Sequence, residues 1–337
     1  MTDTAGPIDP VAFARSLIDI DSTTGQEAEA GAWLASALRD RGYDVTEQPV
    51  ADDRVNVFAQ LDQPPRVVLS THFDCVPPFF PSREERGLLF GRGSCDAKGI
   101  LAAQVAAAER LRAAGERRFA MLFVVGEERG CEGATVANTQ APPGVSYLVN
   151  GEPTDNRLGS ATRGVLRVRL HAKGRAAHSA FPELGESAID KLLDALMVIR
   201  GLDLPEDPLL GRTHYSVGLI EGGVAPNVVS AHASAELMFR IVGDAAPVLA
   251  ALAVVDGLVT VEHVLDVPAV RMHTVPGFET AVFAYTTDVP LLSNWGRPML
   301  LGPGSIHVAH TDDEHVAIGE LHQSVDLYEQ LVTRLLY

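Results

Sequence analysis

The chain has 337 residues, 46% of them hydrophobic and 21% charged, with a formal net charge of −17. That apolar content can build one large domain or two moderate ones, while the acidic surplus would repel a phosphate backbone and excludes a nucleic-acid partner. The first ten residues have no basic start ahead of an apolar core, and no apolar run is long and clean enough to span a bilayer. A cytoplasmic protein with no membrane contact is expected.

Three cysteines, Cys75, Cys95 and Cys131, form no CxxC pair. Their number and spacing exclude a disulfide scaffold or a structural cysteine-zinc site, so they are read as small packing residues.

In chain order, residues from about 10 to 41 carry two helical patterns, with Trp33, Leu34 and Leu38 on one face. Residues 67–70 form a short apolar run leading into His72 and Asp74. After Lys98, the residues Ile100, Leu101, Val105 and Leu111, set among alanines, predict a buried helix. Residues 120–125 are continuously apolar, as in a central parallel strand covered on both faces, and lead to Glu127 and Glu128. Residues 147–149 repeat the pattern and end at Glu152. Strand, acidic loop and helix thus alternate, which predicts an α/β sheet with its polar residues past the carboxyl ends of the strands, where open sheets bind ligands.

The texture changes near Arg163. Residues 165–172 alternate apolar and polar side chains, 187–202 read as a helix, and two more alternating strands carry Tyr215, Val217, Leu219 and then Ala235, Leu237, Phe239, Ile241. A helix at 248–252 and a strand at 259–264 complete a β-α-β-β-α-β order, that of a small ferredoxin-like sandwich. The expected fold is therefore a mixed, mostly parallel sheet with helices on both faces (residues 1–163 and 266–337) and an inserted α+β domain (164–265). Residues 316–336 close the chain as a helix.

Five places carry chemistry. His72 and Asp74, two apart on an extended segment, project to one side, and a carboxylate commonly holds the second ring nitrogen of a histidine ligand. The loop 91–99 lacks the spacing of a phosphate loop and reads as a glycine-supported turn presenting Asp96, either as a functional group or as an ordinary N-cap. Glu127 and Glu128 stand side by side at a strand end, where mutual repulsion and desolvation would be relieved by a cation. One of them can bind metal while the other holds water. Glu152 follows the next strand, and His310, with His307 as a competitor, supplies a second imidazole. Two histidines and three carboxylates suit two Zn²⁺ ions sharing one bridging carboxylate, with a further carboxylate accepting the proton of an attacking water.

The stretches STHFDCVP, GRGSCDAKG, VVGEERG, NGEPT, GRAAHSAFP, GGVAPNVV followed by Arg240, and GPGSIHVAHTDDEHV run in order from Ser70 to Val316. Together they resemble the acetylornithine deacetylase, succinyl-diaminopimelate desuccinylase and carboxypeptidase G family of two-zinc peptidases and amidohydrolases. The resemblance implies that His72, Asp96 and Glu152 bind one ion and Asp96, Glu128 and His310 the other, with cobalt or manganese as alternatives to zinc. It implies that Asp74 orients His72, that Glu127 is the general base and later the acid, and that the Asp96–Ala97 peptide is cis. The inserted segment resembles a lid and dimerisation domain, whose His178 would stabilise the oxyanion in the active site of the partner subunit of a homodimer. Asn227, Arg240, Arg163 and Gly304 match substrate-binding positions, Arg240 being suited to a bidentate grip on a carboxylate.

The expected activity is hydrolysis of an N-acylated amino acid of the acetylornithine or acetyl-lysine type. A dipeptidase or glutamate-type carboxypeptidase is the alternative, and a non-catalytic binding protein on the same fold is a second one. A serine hydrolase is disfavoured because no G-x-S-x-G occurs.

Overall fold

The computed structural model describes residues 6–337. The chain divides into two compact units. Unit 1 runs up to Ser160 and resumes over Met272–Ala281 and Thr287–Tyr337; unit 2 is Ala161–Arg271 with Val282–Thr286. The segment 164–265 lies inside unit 2.

The chain opens with helices α1 (Pro10–Ile18) and α2 (Ala28–Asp40). Strands β1 (Asp44–Ala51), β2 (Arg54–Gln60) and β3 (Val67–His72) follow, then α3 (Lys98–Ala113), β4 (Phe119–Val124), α4 (Glu132–Asn138) and β5 (Tyr147–Asn150). Unit 2 supplies β6 (Gly164–Lys173), α5 (Ala188–Arg200), β7 (His214–Gly222), β8 (His232–Ile241), α6 (Ala246–Leu252) and β9 (Thr260–Val267). Unit 1 closes with β10 (Arg297–Leu300) and α7 (Ile318–Leu336).

In unit 1 six strands form one sheet in the order β1-β2-β4-β3-β5-β10. β4, β3, β5 and β10 run parallel to one another, and the β1–β2 hairpin adds an antiparallel edge. Side chains alternate across a strand, and the core divides accordingly. Val67 and Leu69 of β3 and Met121 of β4 join Ile100, Leu101 and Val105 of α3 and Leu321, Val325 and Tyr328 of α7. Val68, Ala120 and Leu122 join Ala134 and Ala137 of α4 and Trp295. Helices therefore cover both faces, and β3 and β4 are buried along their whole length.

In unit 2 the four strands lie in the order β7-β8-β6-β9, antiparallel throughout. With its β-α-β-β-α-β chain order this is the ferredoxin-like sandwich. Leu166, Val168 and Leu170 of β6 and Ala235, Leu237 and Phe239 of β8 pack against Leu192 and Ile199 of α5 and Val248 and Leu252 of α6. Among the described residues no helix is long and apolar enough to cross a membrane.

Candidate metal centre

Four neighbouring parallel strands share one direction, so their carboxyl ends open on one edge of the sheet. His72 is the last residue of β3; Glu127 and Glu128 follow β4, Glu152 follows β5, and His310 lies between β10 and α7. Asp96 sits just ahead of α3, joined to Ala97 by a cis peptide bond. It is not a capping residue: Ala97 occupies the N-cap and no side chain caps the helix. Gly99 permits this approach, since a Cβ there would stand 2.1 Å from the Ser94 carbonyl oxygen. Lys98 is spent on structure as well, donating from Nζ to the carbonyl of Ile20 at 2.7 Å.

The Asp96 carboxylate faces two imidazoles with different oxygens. His72 Nε2 lies 3.1 Å from Oδ1 and His310 Nε2 3.3 Å from Oδ2. His310 Nε2 also stands 2.8 Å from Glu128 Oε1. Donor atoms of His72, Asp96 and Glu128 fall within 4.8 Å of one another. His307 has no hydrogen-bond or ion-pair partner for its imidazole among the described residues.

Asp74 has a wider part than orienting His72. The His72 Nδ1 lies 3.0 Å from the Asp74 carbonyl oxygen and 3.5 Å from its carboxylate, which turns Nε2 toward Asp96. The Asp74 carboxylate also accepts the backbone N–H of Glu127 at 3.0 Å, that of Glu128 at 3.2 Å and the Thr24 hydroxyl at 2.9 Å. One buried carboxylate thus ties the end of β3 to the turn that carries both glutamates.

The electrostatics are those of crowded acids. Burial alone would lower the pKa of His72, but hydrogen bonds to Asp74 and Asp96 outweigh it and hold the imidazole well above the usual histidine range. Burial would raise Asp96, yet hydrogen bonds from His310 and His72 hold it below the ordinary carboxylate range. Hydrogen bonds to Asp96 and Glu128 push His310 up to about 10. Burial pushes Glu127 and Glu152 well above the carboxylate range, and neighbouring acids add to the shift. Glu152, 4% exposed, has one long contact, with the Asn150 amide at 3.5 Å.

Two acids outside the expected set belong to this edge. Glu314 is fully buried. Its Oε1 accepts the backbone N–H groups of Gly93 at 2.9 Å, Cys95 at 3.1 Å and Asp96 at 3.1 Å, and its Oε2 pairs with Arg92 Nη1 at 2.6 Å. The loop that presents Asp96 is therefore folded around a carboxylate contributed from more than 200 residues away. In sequence Glu314 is the third of three consecutive acids, and only its burial separates it from Asp312 and Asp313. Asp288, 2% exposed, is the other; burial pushes it up to about 7.

The remaining residues singled out by the sequence have different settings. Gly304 adopts φ +81°, where a Cβ would stand 2.6 Å from Cys95 Sγ, so the backbone itself demands glycine. In unit 2, Arg163 donates to the carbonyl of Arg212 at 2.8 Å and to that of Leu210, and lies 3.2 Å from His214 Nδ1. His178 is exposed and its Nδ1 accepts the Ala180 N–H at 3.1 Å. Asn227 is exposed, and its carbonyl accepts the Ser179 N–H at 3.0 Å. Arg240 is half-buried, and among the described residues its guanidinium has no hydrogen-bond or ion-pair partner.

Three carboxylates and two imidazoles at the carboxyl edge of a parallel sheet, with one carboxylate shared between the imidazoles, are a donor set suited to paired divalent cations. Fold and site together define a metal-centred hydrolase built on an α/β sheet. Comparison with known proteins agrees: residues 68–334 match peptidase family M20/M25/M40, and the chain belongs to that family. It is 38% identical to a probable carboxypeptidase of Aspergillus clavatus, over 96% of this chain and 81% of that protein. Its fold is that of the aminopeptidase PepT of Bacillus cereus, with a TM-score of 0.82 at 20% identity, covering 97% of this chain and 98% of that one. It is also similar to a dinuclear metal binding peptidase of Bacillus subtilis, with a TM-score of 0.71 at 14% identity and 97% of each chain covered. The protein is an M20-family metallopeptidase.

Proposed function

We propose that this enzyme is an exopeptidase of the carboxypeptidase type, hydrolysing the amide bond next to a free carboxylate in a small peptide and using two zinc ions. The observation that carries the reading is Asp96, whose two oxygens lie 3.1 and 3.3 Å from the imidazoles of His72 and His310. His72, Asp96 and Glu152 would hold one ion; Asp96, Glu128 and His310 the other. When bound, such ions polarise the scissile carbonyl and make water nucleophilic at neutral pH. Asp74 fixes the His72 ring and the Glu127–Glu128 turn. Glu127 accepts the proton of the attacking water at its carboxylate and passes it to the leaving amine. Its burial, which holds it above the usual carboxylate range, suits that shuttle.

Unit 2 carries the groups proposed to meet the substrate. The unpaired Arg240 guanidinium suits a bidentate grip on the substrate carboxylate. The His178 Nδ1 is engaged as an acceptor, so the neutral ring carries its proton on Nε2, available to a developing oxyanion. Asn227 is proposed as a further polar contact. Arg163 has no part in the proposal, because its guanidinium is turned to the carbonyls of its own unit. His178 is proposed to serve the partner subunit of a homodimer. Exposed Val217, Leu219 and Ile220 on edge strand β7 and Leu193 and Met197 on α5 support a self-pairing surface there.

A second reading is deacylation of an N-acylated amino acid, of which N-acetylated ornithine or lysine would be examples. It uses the same carboxylate grip, and the NGEPT and GPG stretches favour it. The peptide reading is put first because the name carried by the Aspergillus relative supports it.

The test is a panel of dipeptides, N-acetyl and N-succinyl amino acids and carboxyl-amidated peptides, with and without a chelator. Expected is hydrolysis of free-carboxylate substrates only, lost on chelation and restored by zinc. Absence of any hydrolysis by zinc-loaded protein would defeat the reading, and equal hydrolysis of amidated peptides would remove the carboxylate grip.

A further inference from the structure

Beside the residues proposed to hold two ions stands another set of donors. Glu127, Cys131 and Asp288 each bring one donor atom within 4.8 Å of the other two. The Cys131 Sγ lies 3.4 Å from the Glu127 carbonyl oxygen. Asp288 is 2% exposed, and its Oδ1 has no hydrogen-bond partner among the described residues. That oxygen has lost its hydration without a donor in exchange, and the Cys131 thiol, a member of the same set, hydrogen-bonds the Asp288 carboxylate.

Charge balance points the same way. Asp74, Asp96, Glu127, Glu128, Glu152 and Asp288 act on one another electrostatically. Two divalent ions bring four positive charges to these six carboxylates, leaving two negative charges over. Asp74 is engaged by His72, Thr24 and two backbone N–H groups. Glu127 and Asp288 are the two carboxylates left outside both the proposed ligand set and that network.

We infer that Glu127, Cys131 and Asp288 form a third divalent-cation site, weaker than the other two and selective for a thiophilic ion such as zinc. On binding, the Cys131 thiol gives its proton to solvent, a sulfur–metal bond forms, and the two carboxylates complete a mixed oxygen and sulfur set of the kind zinc accepts. The site is weak because it offers three protein donors close to two other cations. Cys131 thus has a use beyond packing. Where Glu127 is the base of the proposed reaction, an ion on it withdraws that base, so zinc in excess of two per chain would switch hydrolysis off.

The experiment titrates Co²⁺, under argon, into protein already holding two zinc ions per chain by metal analysis, and follows near-ultraviolet thiolate-to-cobalt absorbance. Expected is an absorbance saturating at one Co²⁺ per chain. It should be absent in Cys131→Ser and require about tenfold more Co²⁺ in Asp288→Asn, with both variants keeping their two zinc ions. Added zinc should inhibit the unaltered enzyme, and Cys131→Ser should resist it. No absorbance, or the same absorbance in Cys131→Ser, overturns the site. Absorbance without inhibition overturns the part assigned to Glu127. Protein that hydrolyses nothing would sink the proposed function instead, because the absorbance is read without turnover.

Discussion

In unit 1 most of the side chains that carry chemistry are bonded to one another, whereas in unit 2 His178 and Arg240, singled out by the same resemblance, stand open. Asp96, His72, His310, Glu128, Asp74 and Glu314 form a chain of hydrogen bonds and ion pairs. Among the described residues Arg240 has an unpaired guanidinium, and His178 keeps one ring nitrogen free. The difference follows from the task proposed for each set. Donors for a small fixed ion must hold their places before it arrives, so they need buried partners around them. Groups that take hold of a passing substrate must keep their valences unspent.

Substitutions in the bonded set, and at the proposed base Glu127 beside it, should act hardest. Asp96→Ala should lower hydrolysis to the chelated level and strip the protein of ions; two tightly held ions per chain in that variant would end the bridging role. Glu127→Gln should keep both ions yet reduce kcat by about 10²–10⁴-fold, and full turnover would remove Glu127 from the reaction.

Glu314→Ala leaves Arg92 and three backbone N–H groups buried without their acceptor. Breaking a buried pair costs about 3–5 kcal/mol, readable by denaturant unfolding, and zinc affinity should fall because the Asp96 loop loses its anchor. Unchanged zinc affinity in folded Glu314→Ala would confine the residue to stability.

Changes in the open set should be milder and should spare the ions. Arg240→Ala should cost about 1.5–3 kcal/mol in kcat/KM, the worth of hydrogen bonds to a charged group, felt mainly in KM. The smallest effect on stability, within about 0.5 kcal/mol, is expected of Leu219→Glu, since it alters an exposed side chain. Sedimentation should then show monomers where the unaltered chain forms dimers. A monomeric parent would break the self-pairing proposal, and a dimeric variant would move the interface elsewhere.

Much of the fold could be read from pattern. β4 is apolar throughout and β3 over Val67–Leu69 because both faces are covered, and β6 and β8 alternate because one face is not. The β1–β2 hairpin gives no such signal, since Gln48 is the only fully buried residue of β1. β10 escaped notice because it has four residues, with Arg297 exposed and Pro298 within it. The return of Val282–Thr286 to unit 2 leaves no trace in composition. Glu314 and Asp288 were missed because their meaning lies in burial: Asp312, Asp313 and Glu314 look alike in a row, and only the last is enclosed.

The sequence by itself determined the alternation of strands and helices, the ferredoxin-like insertion and the placement of acids and histidines just past strand ends, because periodicity and local spacing encode each of these; the family came from the resemblance of its motifs. The tertiary structure decided which of them meet. That His310 reaches Asp96 and Glu128 while His307 does not, and that Glu314 anchors the loop of Asp96, depends on which strands lie side by side and where a loop turns. Those distances join residues up to more than 200 positions apart, and chain spacing says nothing about separations closed only by packing.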